Sequence, residues 1–203
     1  MIEKVKVGIT GGIGSGKSIV SKVLMTMGYL VYNSDVMAKK LMIEDSALKN
    51  EIIAIFGKES YTTDNQLNRA FISKQAFNDK DLLKKLNEAV HPAVRSDFKK
   101  WAISQESELI FKEAALLVET GSYKELDFLI AVTAPKDLRI KRVMKRDKVD
   151  REAVLERMKN QFSQEKLLEA ADFEIKNNDE IPVIPQLLNV LKFINKETLS
   201  KNL

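Results

Sequence analysis

Residues 8–18 read Gly-Ile-Thr-Gly-Gly-Ile-Gly-Ser-Gly-Lys-Ser. Gly11, Gly16, Lys17 and Ser18 fill the G-x-x-x-x-G-K-[ST] template of a phosphate-binding loop. The spacing is a physical device. Small residues let successive backbone N–H groups turn inward around an anion. A helix opening near Lys17 adds the positive end of its dipole. The Lys17 ammonium can reach the β- and γ-phosphates, and the Ser18 hydroxyl can ligate Mg²⁺. The flanks suit the motif: Val5, Val7 and Ile9 alternate as in a strand, and Ile19, Val20, Val23, Leu24 and Met27 follow at helical spacing. The pattern points to a nucleoside triphosphate with its metal. The competing reading is a glycine turn that packs a helix on a sheet and binds nothing.

The 203 residues suit one domain with room for an inserted subdomain. There are no cysteines, so disulfides and thiolate metal sites are excluded. No apolar run approaches a membrane span, and no apolar signal region precedes the first strand. A cytoplasmic protein without a membrane partner is expected. The net charge of +4 raises nucleic-acid binding as a question. Basic residues are mixed with acids, and the densest cluster, Lys136 to Lys148, has few aromatics nearby. A polyanionic small molecule accounts for the charge equally well, and no nucleic-acid partner is expected.

Strands and helices alternate outward from the loop. Strands are expected at about 5–10, 29–32, 109–111, 128–132 and 173–175, and helices at about 17–27, 136–146, 151–162 and after Ile184. Phe128-Leu129-Ile130-Ala131-Val132 is apolar throughout, as in a strand covered on both faces. The fold class is therefore α/β, a five-stranded parallel sheet with helices on both faces. Residues 36–103 show only helical stripes and read as an inserted, lid-like helical subdomain. Pro92 interrupts the stripe of Leu82, Leu86, Val90, Val94 and Phe98, which predicts a kink or a restart.

Ligands bind at the carboxyl edge of such a sheet. Asp35 follows the second strand there and suits the carboxylate that orients an acceptor or takes its proton. Spacing alone equally allows Asp35, or Ser34, to cap the next helix. Glu113 ends the third strand and is a further metal candidate, with a solvated strand end as the alternative. Arg139, Arg142 and Arg146 share one helical face, as a phosphate clamp or a solvated basic face. His91, the one histidine, suits a structural role.

Taken together, these segments resemble the dephospho-coenzyme A kinase family over about residues 5–178. The phosphate loop, Val31 to Ala38 against that family's "IDAD-x-IA", and Leu67-Asn68-Arg69 against "LNR" carry the likeness. So do His91-Pro92, Leu116 to Glu119 against "PLLFE", Arg142, Arg146, Asp147 and Arg151 against "R-x3-RD…R", Gln161, Ala171-Asp172 and Asn177-Asn178. The resemblance implies a P-loop kinase core over 1–203, a substrate-binding insertion at 36–103 and a lid at 140–155. It implies ATP and Mg²⁺, with dephospho-coenzyme A phosphorylated on its ribose 3′-hydroxyl, and a monomer is expected. Asp35, Lys17 and Arg142 become the expected catalytic residues. Nucleotide contacts are expected from Gly12, Ile13, Gly14, Ser15, Gly16, Lys17, Ser18, Ile19, Arg146 and Asn177, and metal contacts from Ser18 and Glu113. The chain departs from the family at Ile19 (usually Thr), at Glu113-Ala114-Ala115 (usually D-x-P) and at Asn65 (usually Gly). Asn tolerates left-handed backbone, so that last turn can survive. The rival readings are another small-molecule P-loop kinase, such as one for a nucleoside monophosphate, a nucleotide switch, and a nucleic-acid-stimulated ATPase. The D-x-x-G and N-K-x-D segments of a GTPase switch are not found.

Overall fold

The computed structural model describes residues 4–201. The chain divides into two compact units, Asn33–Glu106 and the remainder.

The larger unit is built on a five-stranded sheet of order β2-β3-β1-β4-β5. Its strands are β1 (Val5–Thr10), β2 (Leu30–Asn33, whose last residue opens the smaller unit), β3 (Leu109–Glu113), β4 (Phe128–Thr133) and β5 (Phe173–Lys176). The sheet is parallel: Val7 stands opposite both Phe111 and Phe128, and Ile130 opposite Phe173. Successive residues of β4 serve opposite faces. Ile130 and Val132 join Val7, Ile9 and Phe111 in a cluster closed by Val20 and Leu24 of α1 (Lys17–Thr26) and by Leu187, Leu191 and Ile194 from the last helix. Leu129 faces the other way, onto Ala114 and Leu117. A strand buried on both faces must be apolar at every position, which is why the 128–132 run has no polar alternation.

Between β4 and β5 lie α6 (Lys136–Asp147), α7 (Arg151–Lys159) and α8 (Gln164–Ala170). The single helix expected over 151–162 stops at Lys159, and α8 is an element that periodicity did not reveal. Ser163 ends the connection by capping α8, its hydroxyl accepting from Lys166 N–H at 3.4 Å.

The smaller unit is helical: α2 (Ser34–Glu44), α3 (Ser46–Phe56), α4 (Arg69–Asn78) and α5 (Lys80–Ser104). Asx side chains start all four, with Asn33, Asp45, Asn68 and Asp79 accepting from first-turn amides. The turn before α4 puts Asn65 at φ 60°, the left-handed backbone that asparagine tolerates, and Tyr61 pairs with Leu67 across it. The Tyr61 hydroxyl donates to the Met42 carbonyl at 2.6 Å, and burial pushes its pKa up to about 12.

Pro92 does not divide α5, which runs unbroken through it for 25 residues. An internal proline costs about 3 kcal/mol. Burying a Val or Phe side chain returns about 1.5–3 kcal/mol each. Val90, Val94, Phe98 and Ala102 are buried along one face of α5, so packing on both sides of the proline outweighs the lost bond.

Leu24 is fully buried in the central cluster. Leu24→Ala is expected to destabilise the protein by about 2–5 kcal/mol in urea unfolding, from lost burial and the cavity left behind.

Candidate functional site

The segment between Thr10 and Lys17 leaves the carboxyl end of β1 and turns directly into α1. Gly16 caps the helix with φ 98° and has no side chain to give, so the cap makes no side-chain hydrogen bond to α1. Ile19 and Val20 N–H donate back to the Gly16 carbonyl. An uncapped helix start at the end of a glycine bend is an anion seat.

The bend is held from outside. Asn177, buried just past β5, donates Nδ2 to the Ser15 carbonyl at 2.8 Å. A Cβ on Gly16 would lie 2.0 Å from that nitrogen. Arg139, on α6, donates Nε to the Ile13 carbonyl at 2.9 Å, and its guanidinium covers Gly12 so closely that a Cβ there would lie 2.1 Å from Nη2. Burial lowers the Arg139 pKa from its ordinary value, and Glu165 opposes that shift. The Gln161 carboxamide oxygen accepts from Ile13 N–H at 2.7 Å. Lys17 Nζ donates to the Gly11 carbonyl at 2.6 Å, bridging the bend it would serve.

The other expected residues take distinct positions. Ser18 is exposed in the first turn of α1, beside the exposed Ile19. Glu113, the last residue of β3, is buried opposite Ile9 in the register. Arg142 Nη1 donates to the Asn177 carbonyl at 3.0 Å and lies 3.5 Å from the Gly14 carbonyl. Its Nη2 is paired with Asp179, a partner that no spacing in the sequence announces. Arg146 donates to Asp147 at 2.7 Å, as does Arg157, and these bonds hold the Asp147 carboxyl below its usual range. Arg151 pairs with Asp137 at 3.0 Å. The structure therefore brings Arg139, Arg142, Asn177 and Gln161 to the bend, and directs the hydrogen bonds of Arg146 and Arg151 to carboxylates instead.

In the smaller unit, Asp35 lies in the first turn of α2 and is exposed. It does not cap that helix, and neither does Ser34. Asn33 does, its Oδ1 accepting from Val36 N–H at 2.9 Å. The structural duty that competed for Asp35 is thus carried by another residue.

The residues fit a triphosphate and its metal. The bend offers a helix start without a side-chain cap, and the hydroxyls of Thr10 and Ser15 are buried there without partners. Among the described residues no cluster of three His, Asp or Glu forms a closed metal cage.

A family model described as dephospho-CoA kinase matches residues 5–182. A dephospho-CoA kinase from Bacteroides fragilis is 37% identical over 191 residues, covering 94% of this chain and 93% of its own. Among solved structures, TT1252 from Thermus thermophilus matches with a TM-score of 0.81 at 31% identity, covering 96% of this chain and 98% of that one. A dephospho-CoA kinase from Campylobacter jejuni matches with a TM-score of 0.67 at 27% identity, over 97% and 98% of the two chains.

Gly16 admits no side chain on two counts, its positive φ and the Asn177 contact. Gly16→Ala is expected to weaken ADP binding at least about tenfold by calorimetry, since left-handed backbone alone costs an alanine roughly 1–2 kcal/mol.

Proposed function

The chain belongs to the dephospho-CoA kinase family, and from that premise we propose how its own residues divide the work. The enzyme transfers a phosphoryl group from ATP to the ribose 3′-hydroxyl of dephospho-CoA, giving CoA and ADP, the last step of CoA synthesis. In this reading the inward amides between Gly12 and Ile19 hold the β- and γ-phosphates. Lys17, whose ammonium carries three donors, meets them from its place on the Gly11 carbonyl. Arg142, at Gly14, offsets charge on the transferring group, and Asn177 acts on the nucleotide through the loop it supports. Arg146, in the proposed 140–155 lid, joins the nucleotide when its hold on Asp147 is exchanged for phosphate.

Asp35 accepts the proton of the 3′-hydroxyl. The new O3′–P bond forms as the bond from the γ-phosphorus to the bridging oxygen breaks, and ADP leaves with that electron pair. Ser18 and Glu113 are the residues that would hold Mg²⁺, which would supply positive charge against the phosphates. The helical unit, expected at 36–103, receives the acceptor. Exclusion of water matters because an open site spends ATP on hydrolysis. A cytoplasmic monomer is the proposed setting. Among the described residues no helix is long and apolar enough to cross a membrane.

The observation that carries the role of Asp35 is the Asn33 cap, which leaves an exposed first-turn carboxylate with no capping duty. The test is ADP release from ATP with dephospho-CoA and, in parallel, with nucleoside monophosphates. Turnover with dephospho-CoA alone is expected. Asp35→Asn should reduce kcat by about 10²–10⁴, the usual worth of a general base. A loss under threefold removes Asp35 from that role.

A further inference from the structure

Ile13 sits at the apex of the phosphate bend, and three separate contacts hold it. Its side chain packs against the cluster of Ile140, Val143 and Val154, contributed by α6 and α7. Its N–H donates to Gln161, just past α7, at 2.7 Å. Its carbonyl accepts from Arg139 of α6 at 2.9 Å. The next residue, Phe162, is itself fastened, its N–H donating to Glu119 Oε1 at 2.9 Å. The backbone next to Gln161 is therefore anchored independently of the bend.

A planar trans peptide points its N–H and its C=O in opposite directions. No peptide in the described chain is cis. With the Ile13 carbonyl drawn outward to Arg139, the Gly14 N–H of the same peptide must face the opposite way. With the Ile13 N–H drawn outward to Gln161, the Gly12 carbonyl must face away from Gln161, where Ser15 N–H donates to it at 3.1 Å. The two peptides flanking Ile13 are thus set in opposite senses by two side chains. The first leaves an amide for an anion, and the second closes the turn.

We propose that Gln161 and Arg139 are positioning residues for phosphoryl transfer, holding the two Ile13 peptides so that the bend meets the terminal phosphates already formed. Neither side chain has to touch the reacting atoms. Their contribution is preorganisation: without them the bend must be ordered by the nucleotide at the expense of affinity. The clamp also ties nucleotide binding to the placement of α6 and α7, since all three holds on Ile13 come from those helices or the residue following them.

This inference rests on the bend being the ATP site. It is tested with the whole enzyme by Gln161→Met and Arg139→Met, which keep most of the side-chain volume and remove the hydrogen-bonding group. ADP affinity is measured by calorimetry, KM for each substrate by initial rates, melting temperature by calorimetry, and Ile13 N–H exposure by amide hydrogen exchange. One neutral hydrogen bond contributes about 1 kcal/mol, so Gln161→Met should weaken ADP about fivefold. Arg139→Met removes a charge-assisted bond and should weaken it more. In both, KM for ATP rises while KM for dephospho-CoA stays at its wild-type value, the melting temperature falls by no more than the few degrees that one lost hydrogen bond costs, and Ile13 N–H loses protection in the Gln161 variant. Wild-type ADP affinity in both variants overturns the proposal. So does a weakening that follows a fall in melting temperature and raises both KM values equally, because that is the signature of a structural role. A wild-type enzyme without turnover on dephospho-CoA would count against the assigned reaction and leave the ADP comparison standing.

Discussion

In the β1–α1 bend a peptide whose N–H faces into the turn has its carbonyl on the opposite side of its own plane, and that carbonyl needs a donor. This requirement organises the site. Arg139 supplies Ile13, Asn177 supplies Ser15, and Lys17 supplies Gly11. A buried carbonyl without a partner costs roughly 1–3 kcal/mol, comparable with the strain a non-glycine residue would suffer in the bend. A loop shaped to receive an anion is therefore not a local property of glycine spacing. It exists because α6 and the residue after β5 reach it across more than a hundred positions of chain.

The sheet order makes that reach short. With β1 central, between β3 and β4, the bend leaves the sheet beside the ends of both neighbours. Glu113 ends β3 on one flank, and α6 follows β4 on the other. The cations on α6 and α7 do not act mainly as stabilisers. Arg146 and Arg157 are largely exposed around Asp147, and pairs of that kind contribute about 0–1 kcal/mol. Arg142 is the more committed member, gathered between Gly14, Asn177 and Asp179.

The smaller unit answers a different constraint. Helices joined by short connections need their first amides satisfied, and Asn33, Asp45, Asn68 and Asp79 do this in turn. The economy matters at α2. The cap falls on Asn33, and Asp35 in the first turn stays exposed without capping the helix. The family-like Leu67-Asn68-Arg69 segment has an equally plain use, in that Asn68 starts α4.

The strand-loop-helix unit at the amino end, the apolar β4 and the alternation of strands and helices were legible in the sequence, because each rests on local rules: side-chain period, glycine geometry and helix propensity. The family likeness was legible for the same reason, since its motifs are short and contiguous. Local rules failed where distant packing overrode them. Pro92 reads as a kink or a restart, yet α5 continues without restarting because buried residues on both sides of it outweigh one missing bond. The end of α7 and the existence of α8 turned on a cap and on packing against β4, which no period encodes. In the site, spacing put Arg139, Arg142 and Arg146 on one face as equals. Only the tertiary structure separated them, sending Arg139 to Ile13, Arg142 to the turn after β5 and Arg146 to Asp147. The physical reason is that a motif specifies which groups a segment can offer, whereas the partner each group takes depends on elements that meet only after the chain has folded.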